Sequence, residues 1–127
     1  MVEETEKEKL TKILQKLTSL GDIEGAALIT RNGLLIASEL SEGIKGETLA
    51  AMAAAMTGAA ETAIRELKKS SPDRIIVESK NTKLIAMGAG KQAILTCIVN
   101  PNAQLGLVLM QMNKTTLAVK KKLNNLR

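Results

Sequence analysis

The stretch from Gly46 to Lys69, GETLAAMAAAMTGAAETAIRELKK, constrains the fold more than any other part of the chain. It contains no proline and is rich in Ala, Leu, Met, Glu and Lys, so it predicts one long helix. At about 100° per residue, apolar side chains form one face roughly 120° wide, which we expect to pack on the rest of the protein. The members of this face are Leu49, Met52, Ala53, Met56, Ala60, Ala63, Ile64 and Leu67.

The opposite face of this helix is unusual because it carries small side chains where Glu, Lys and Gln are common. Its members are Ala51, Ala54, Ala55, Gly58 and Thr62, followed by Arg65 and Lys69. One interpretation is that alanine favours the helix on a solvated side. Gly58 argues against this, since a glycine inside a helix costs about 1 kcal/mol relative to alanine. We favour the alternative, in which small side chains let another backbone approach, most simply a second copy of the same helix.

Size and composition predict one cytoplasmic domain covering residues 1–127. With 127 residues, of which 45% are hydrophobic, the chain can build a single core. It contains no Phe, Trp or Tyr, so the core must be aliphatic, and the aromatic platforms on which single-stranded nucleic acids stack are missing. The N-terminus MVEETEKEK does not resemble a signal peptide, and no apolar run approaches the roughly 20 residues that span a membrane.

Cap and turn signals divide the rest of the chain into further elements. Thr5 and Glu8 form a possible capping box for a first helix. An Asn-Gly turn at 32–33 indicates a hairpin between two strands, 23–30 and 34–38. Three more strands are predicted at 74–79, 84–88 and 93–99, and a helix after Pro101 closes the chain. The predicted order is α-β-β-α-β-β-β-α.

The strands predict a sheet that is covered on both faces. Their connectors are too short for anything but antiparallel neighbours. Apolar runs such as those at 75–77 and 93–95 are typical of strands buried on both sides. The expected fold class is an α/β (α+β) sandwich, with the long helix on one face of a five-stranded, mainly antiparallel sheet and two helices on the other. If the long helix covers its face alone, its outer side is left bare, which predicts a dimer.

The residues that usually carry catalysis or bind metals are missing, so we predict no enzyme, cofactor or metal site. The chain has no histidine, and its single cysteine, Cys97, lies in an apolar run typical of a buried side chain. The segment 88–92, GAGKQ, resembles a phosphate-binding loop only faintly. Ile85 stands where the pattern needs its first glycine, and Gln92 where it needs Ser or Thr, so a hairpin turn is favoured.

The element order, the hairpin GAALITRNGLLIAS and the segment VNPNAQLGLVLMQMNKTTLAVKKKL together resemble the Roadblock/LC7 domain in its short prokaryotic or archaeal form. The family pattern of strand, Asp/Asn-Gly turn and strand matches Ala26 to Ser38. The family's Asn-x-x-Leu-Gly approach to its last helix matches Asn102 to Gly106 loosely. The resemblance covers nearly the whole chain, about Leu10 to Leu123.

This resemblance implies a homodimer or heterodimer in which the central helices pack together and the third strands pair edge to edge. Those elements match Glu47–Lys69 and Arg74–Ser79 of this chain. The predicted interface residues are Ala51, Ala54, Ala55, Gly58, Thr62 and Arg65 of the helix and Ile75, Ile76 and Val77 of the strand. The family supplies no catalytic residue, and its members act as scaffolds or regulators of small Ras-like GTPases or as motor-associated light chains.

The leading functional hypothesis is therefore a non-enzymatic dimeric regulator or scaffold of a small GTPase, a role that can include stimulation of GTP hydrolysis. The net charge of +5 supports an alternative, because lysines are concentrated in the first and last helices. In that alternative, a basic dimer binds nucleic acid or an anionic membrane through these helices. A third hypothesis is a pure assembly module in a motility or surface complex.

Overall fold

The protein is described by a computed structural model over residues 3–124. Its helices are α1 (Glu6–Thr18), α2 (Gly46–Glu66) and α3 (Leu105–Asn124). Its strands are β1 (Ile23–Thr30), β2 (Leu35–Glu39), β3 (Arg74–Glu78), β4 (Lys83–Ala89) and β5 (Ala93–Val99). The predicted order α-β-β-α-β-β-β-α is confirmed, and the predicted strand ends lie within one residue of the observed ones.

The five strands form a single antiparallel sheet in the order β2-β1-β5-β4-β3. The predicted fold class is confirmed. Strand β5 is central, and β2 and β3 are the two edges. Since β3 pairs only with β4 within the described residues, one row of its backbone N–H and C=O groups faces outward.

The two faces of the sheet carry cores of different character. Helices α1 and α3 cover one face with large side chains such as Leu14, Met112 and Val119, which pack on Leu28 and Leu95. Helix α2 covers the other face with small ones. That second core consists of Ala27, Ile29, Ala50, Ala53, Ala86 and Ile94. Helix α2 therefore lies close to the sheet, because the alanines at the contact keep the helix axis near the strands.

The face of α2 that packs on the sheet differs from the predicted one. Ala53 of the predicted face is buried as expected, but Ala50 and Thr57, which lie outside that face, are buried beside it. Met52 and Leu67 of the predicted face are 60% and 65% exposed. Helix periodicity places the buried side roughly 70° away from the predicted stripe. Periodicity weights large apolar residues most strongly, but close helix–sheet packing here uses the small ones. Of the large side chains, Leu49 and Met56 pack on the margin of this core, and Met52 and Leu67 are left exposed.

Helix α2 also ends three residues before the predicted boundary at Lys69. Lys68 has φ 57°, the left-handed conformation that usually takes glycine. Its N–H donates to the Arg65 carbonyl at 2.9 Å, and the Lys69 N–H donates to the Ile64 carbonyl at 3.3 Å. These two bonds satisfy carbonyls at the helix end, so the helix stops there.

The capping box predicted at the start of α1 is confirmed. The Glu8 N–H donates to the Thr5 hydroxyl oxygen at 3.1 Å, and the Thr5 N–H donates to the Glu8 carboxylate at 3.3 Å. The cap fixes where α1 starts, and therefore which residues of α1 reach the core. Over residues 3–124, no helix is both long enough and apolar enough to cross a membrane.

Candidate dimer and partner surface

The outer side of α2 carries no charged side chain over nearly three turns. Ala51, Met52, Ala55, Gly58 and Ala59 are all exposed. A helix that faces water normally presents charged or amide side chains there. Charged exposed residues return only at Arg65 and Glu66, in the last turn of the helix. This side therefore has the composition of a packed surface, although within residues 3–124 only the turn at Gly33 approaches it, beside Ala51.

Gly58 lies in the middle of this uncharged side. Apart from its chain neighbours and the backbone of α2, no atom of residues 3–124 lies within 4 Å of the position that a Gly58 Cβ would occupy, so packing within the protomer does not require a glycine there. Its φ is not positive, so the backbone conformation does not require one either. Over the residues that the structure describes, no packing contact at Gly58 offsets the cost of about 1 kcal/mol for a mid-helix glycine.

Ala51 and Ala54, two of the predicted interface residues, also make contacts within the protomer. Gly33, in the β1–β2 turn, has φ +94°, and a Cβ there would lie 3.5 Å from the Ala51 Cα and 3.7 Å from the Ala54 Cβ. Ala54 is half-buried and packs on the α2-side core. The flank of α2 that carries these alanines therefore rests beside the hairpin turn. Ala55, Gly58, Thr62 and Arg65 are exposed.

The predicted residues of β3 divide between the two sides of the sheet. Ile75 pairs with Ala86 and packs on the α2-side core, while Ile76 packs on the core beneath α1 and α3. Val77 lies on the α2 side with Ile75 and is 44% exposed. The structure thus brings Ile75 and Val77, but not Ile76, to the side of the sheet that α2 occupies.

The sheet adds apolar residues to this surface that the sequence analysis missed. Val77 pairs with Leu84, and Leu84 pairs with Ile98, so the three form one row across β3, β4 and β5. Leu84 and Ile98 are only half-buried, because α2 packs mainly over β1 and β2. Strand alternation could have placed each residue on a face, but only the register aligns them in a row.

A polar cleft at the β4–β5 turn was also missed. The Arg31 guanidinium donates to the Glu61 carboxylate at 3.0 Å and to the Gly90 carbonyl at 3.4 Å. A Cβ at Gly88 would lie 3.1 Å from the Arg31 side chain, so Gly88 makes room for it. The segment 88–92 is the hairpin turn that was predicted, and two of its glycines lie against Arg31. The cleft encloses about 480 Å³.

The single cysteine has the environment of a core residue. The Cys97 side chain is fully buried in the core beneath α1 and α3, and this burial raises the pKa of its thiol well above the ordinary range. A buried neutral thiol is a poor nucleophile. Across residues 3–124 there is no group of three or more His, Cys, Asp or Glu residues that could hold a metal ion.

We expect Cys97 to react with a disulfide reagent such as DTNB only when the protein opens. The reaction in buffer should be at least about a thousandfold slower than in guanidinium chloride, because the thiol must first be exposed by unfolding. Absorbance of the released thiolate measures both rates. Stoichiometric labelling of the folded protein at the denatured rate would contradict the buried position.

Comparisons with known proteins agree with this architecture. The sequence profile of the family described as "Roadblock/LC7 domain" matches residues 9–99. A Methanocaldococcus jannaschii protein, the uncharacterised MJ1340, is 28% identical over 111 residues, covering 87% of this chain and 96% of that protein.

Two solved structures share the fold closely. Myxococcus xanthus MglB has a TM-score of 0.90 at 22% identity, covering 100% of this chain and 96% of that one. The gliding protein MglB of Thermus thermophilus has a TM-score of 0.82 at 19% identity, covering 96% of this chain and 93% of that one. At these identities the two structures show the fold alone.

Proposed function

The chain belongs to the Roadblock/LC7 family, and from this premise we propose that it is a non-enzymatic homodimeric regulator or scaffold of a small Ras-like GTPase. The observation that carries the proposal is the uncharged outer side of α2, where Ala51, Met52, Ala55, Gly58 and Ala59 are exposed. Exposed apolar surface of this kind marks a site of association.

The proposed dimer joins two elements of each protomer. The outward row of backbone groups on β3 pairs with the same row of a second copy, so that two five-stranded sheets become one. The two α2 helices then pack on each other along the flanks that face the two-fold axis, and Gly58 allows close approach. Antiparallel pairing of identical strands across a two-fold axis perpendicular to the sheet keeps both α2 helices on the same side of it.

The proposed interface residues are those predicted from the sequence, joined by exposed neighbours. From α2 they are Ala51, Ala54, Ala55, Gly58, Thr62 and Arg65, with Met52 added. From β3 they are Ile75, Ile76 and Val77. Ile76 takes part through its backbone only, since its side chain lies on the α1 and α3 side.

The proposed partner follows from the family rather than from a pocket. Roadblock/LC7 domains act as scaffolds or regulators of small Ras-like GTPases, and a homodimer offers such a partner a surface that spans two protomers. We include stimulation of GTP hydrolysis in the proposal. The chain would then act by ordering the GTPase, because the family supplies no catalytic residue. The cytoplasm is the proposed location of this pair.

The test of the dimer is the mass in solution. Light scattering after size exclusion should give about twice the mass of 13.5 kDa. A stable monomer at micromolar concentration would overturn the dimer, and the regulator hypothesis with it.

The test of the partner is capture of small GTPases from the same cell. The immobilised protein should retain a GTPase loaded with GTP or GDP, and a single-turnover assay then measures whether hydrolysis accelerates. A folded monomeric variant is the matched control and should lose retention. If a confirmed dimer retains neither nucleotide form, the GTPase role is wrong.

A further inference from the structure

The outer side of α3 is apolar as well as its inner side. Leu107, Met110 and Leu117 are 39%, 49% and 62% exposed, and they lie opposite the buried Val108 and Met112. The core needs only the inner stripe. Three large side chains on the far side of a helix are therefore not explained by folding of the protomer.

Positive charge surrounds these side chains. Helix α3 contains four lysines and no Asp or Glu. Lys114 and Lys121 are exposed, and their spacing places them in the same stripe as Leu107, Met110 and Leu117. We call this stripe the α3 outer surface.

Helix α1 extends the surface with residues of the same two kinds. Leu20, just after α1, is 51% exposed, and Lys16 is exposed in its last turn. A groove of about 410 Å³ lies between these residues and Lys114 of α3. The acidic residues of α1, Glu6 and Glu8, lie in its first turn, and Glu4, just before the helix, pairs with Lys12. The hydrogen bond from Lys12 holds the pKa of the Glu4 carboxyl below its ordinary value.

We propose that the α3 outer surface docks the protein on an anionic membrane. Exposed leucine and methionine side chains enter the boundary between headgroups and acyl chains, and the lysines contact lipid phosphates and carboxylates. A second copy of this chain does not fit, because the lysines of two α3 helices would face each other. The chain has no aromatic residue to anchor at the interface, so the binding is reversible and sensitive to salt.

A flat surface suits this site better than a single partner helix, and this step rests on the proposed dimer. With the two-fold axis perpendicular to the joined sheet, both α3 helices lie on the side away from α2. The dimer therefore presents two copies of the α3 outer surface to one plane. Two contacts to one membrane raise the effective affinity without any new contact in either protomer.

The test uses the full chain and sedimentation with vesicles. We expect it to pellet with phosphatidylcholine vesicles that contain about one third phosphatidylserine, and not with pure phosphatidylcholine vesicles. Binding should fall when salt is raised from about 50 to 200 mM. Equal binding to both vesicles, or to neither, would overturn the proposal.

Paired variants separate this surface from general positive charge. Lys114→Gln with Lys121→Gln should lower the partition coefficient roughly 10- to 30-fold, at about fivefold per lysine. Lys45→Gln with Lys69→Gln is the matched control, because it removes the same charge from exposed positions flanking α2. Equal losses in the two pairs would contradict the assignment.

Two further variants test the apolar part and the role of pairing. Met110→Ser with Leu117→Ser keeps the charge and should weaken binding at least about tenfold, since two exposed apolar side chains no longer enter the bilayer. Unchanged binding would contradict insertion.

A monomeric variant should still prefer anionic vesicles, but more weakly, so failure of the dimer is seen separately. Retention on an immobilised acidic amphipathic peptide, without any on vesicles, would assign the surface to a protein partner instead.

Discussion

We expect Gly58→Leu to convert the dimer into a monomer while making the protomer itself more stable. Apart from its chain neighbours and the backbone of α2 itself, no atom of residues 3–124 lies within 4 Å of a Cβ at this position, so the first carbon of the leucine side chain has room. Replacing a mid-helix glycine by a good helix former should raise the free energy of unfolding of the protomer by about 0.5–1 kcal/mol. In the proposed dimer, the same side chain lies where the second α2 helix must approach.

The size of the effect follows from the symmetry of the interface. Overpacking costs about 1–3 kcal/mol for each added side chain, and a two-fold interface receives the substitution twice. The dissociation constant should therefore rise by a factor of roughly 30 or more, as measured by sedimentation equilibrium or light scattering over a concentration series.

Gly58→Ala is the matched control for this experiment. It gains similar helix propensity but adds only one methyl group, so dimerisation should weaken less than with leucine. A leucine variant that remains a dimer at the wild-type dissociation constant would contradict close packing of α2 on its copy. A leucine variant less stable than wild type as a monomer would contradict the open space around Gly58.

We expect substitutions at two neighbouring residues of β3 to have different effects, one on the stability of the protomer and the other on dimerisation. Ile76→Lys should lower the free energy of unfolding by about 2–3 kcal/mol, because it places an ammonium group in the core beneath α1 and α3. Val77→Lys should leave the folded protomer nearly unchanged, since Val77 is 44% exposed on the other side of the sheet. Instead, it should weaken dimerisation by bringing two positive charges to the joined edge.

Urea unfolding and light scattering at matched concentrations distinguish these outcomes. Leu34→Lys is the control for added charge, because Leu34 is 63% exposed in the turn before β2, at the opposite end of the strand order. It should alter neither stability nor mass. If Val77→Lys and Leu34→Lys behave alike, β3 is not the edge that pairs. If Ile76→Lys unfolds at the wild-type urea concentration, its side chain is not held in the core.

Much of this fold is encoded by local signals that act over a few residues. The Asn-Gly turn at 32–33 and the capping box at Thr5 and Glu8 each satisfy nearby backbone groups, and the structure confirms both. Strand ends agreed within one residue because turns and polar connectors interrupt the apolar runs. The boundary that was wrong, at the end of α2, depends on Lys68 in a conformation that is rare for lysine and therefore has no sequence signal.

The surface beside α2 shows where such reasoning stops. Composition and periodicity predicted that α2 has a side free of charged residues, because both are properties of one helix. They did not predict that Ala50 and Thr57 face the sheet beside Ala53 while Met52 is left exposed. How a helix rotates on a sheet depends on the shape of the strands beneath it, and that shape is set by residues distant in the chain.

Residue types and short spacings were thus enough to predict the elements, their order and an aliphatic core. Only the tertiary structure decided which strand is an open edge, that Val77, Leu84 and Ile98 lie in one row, and that Leu107, Met110 and Leu117 are left outside α3. The physical reason is that burial and register arise from contacts between distant segments, and these contacts exist only when the whole chain has packed.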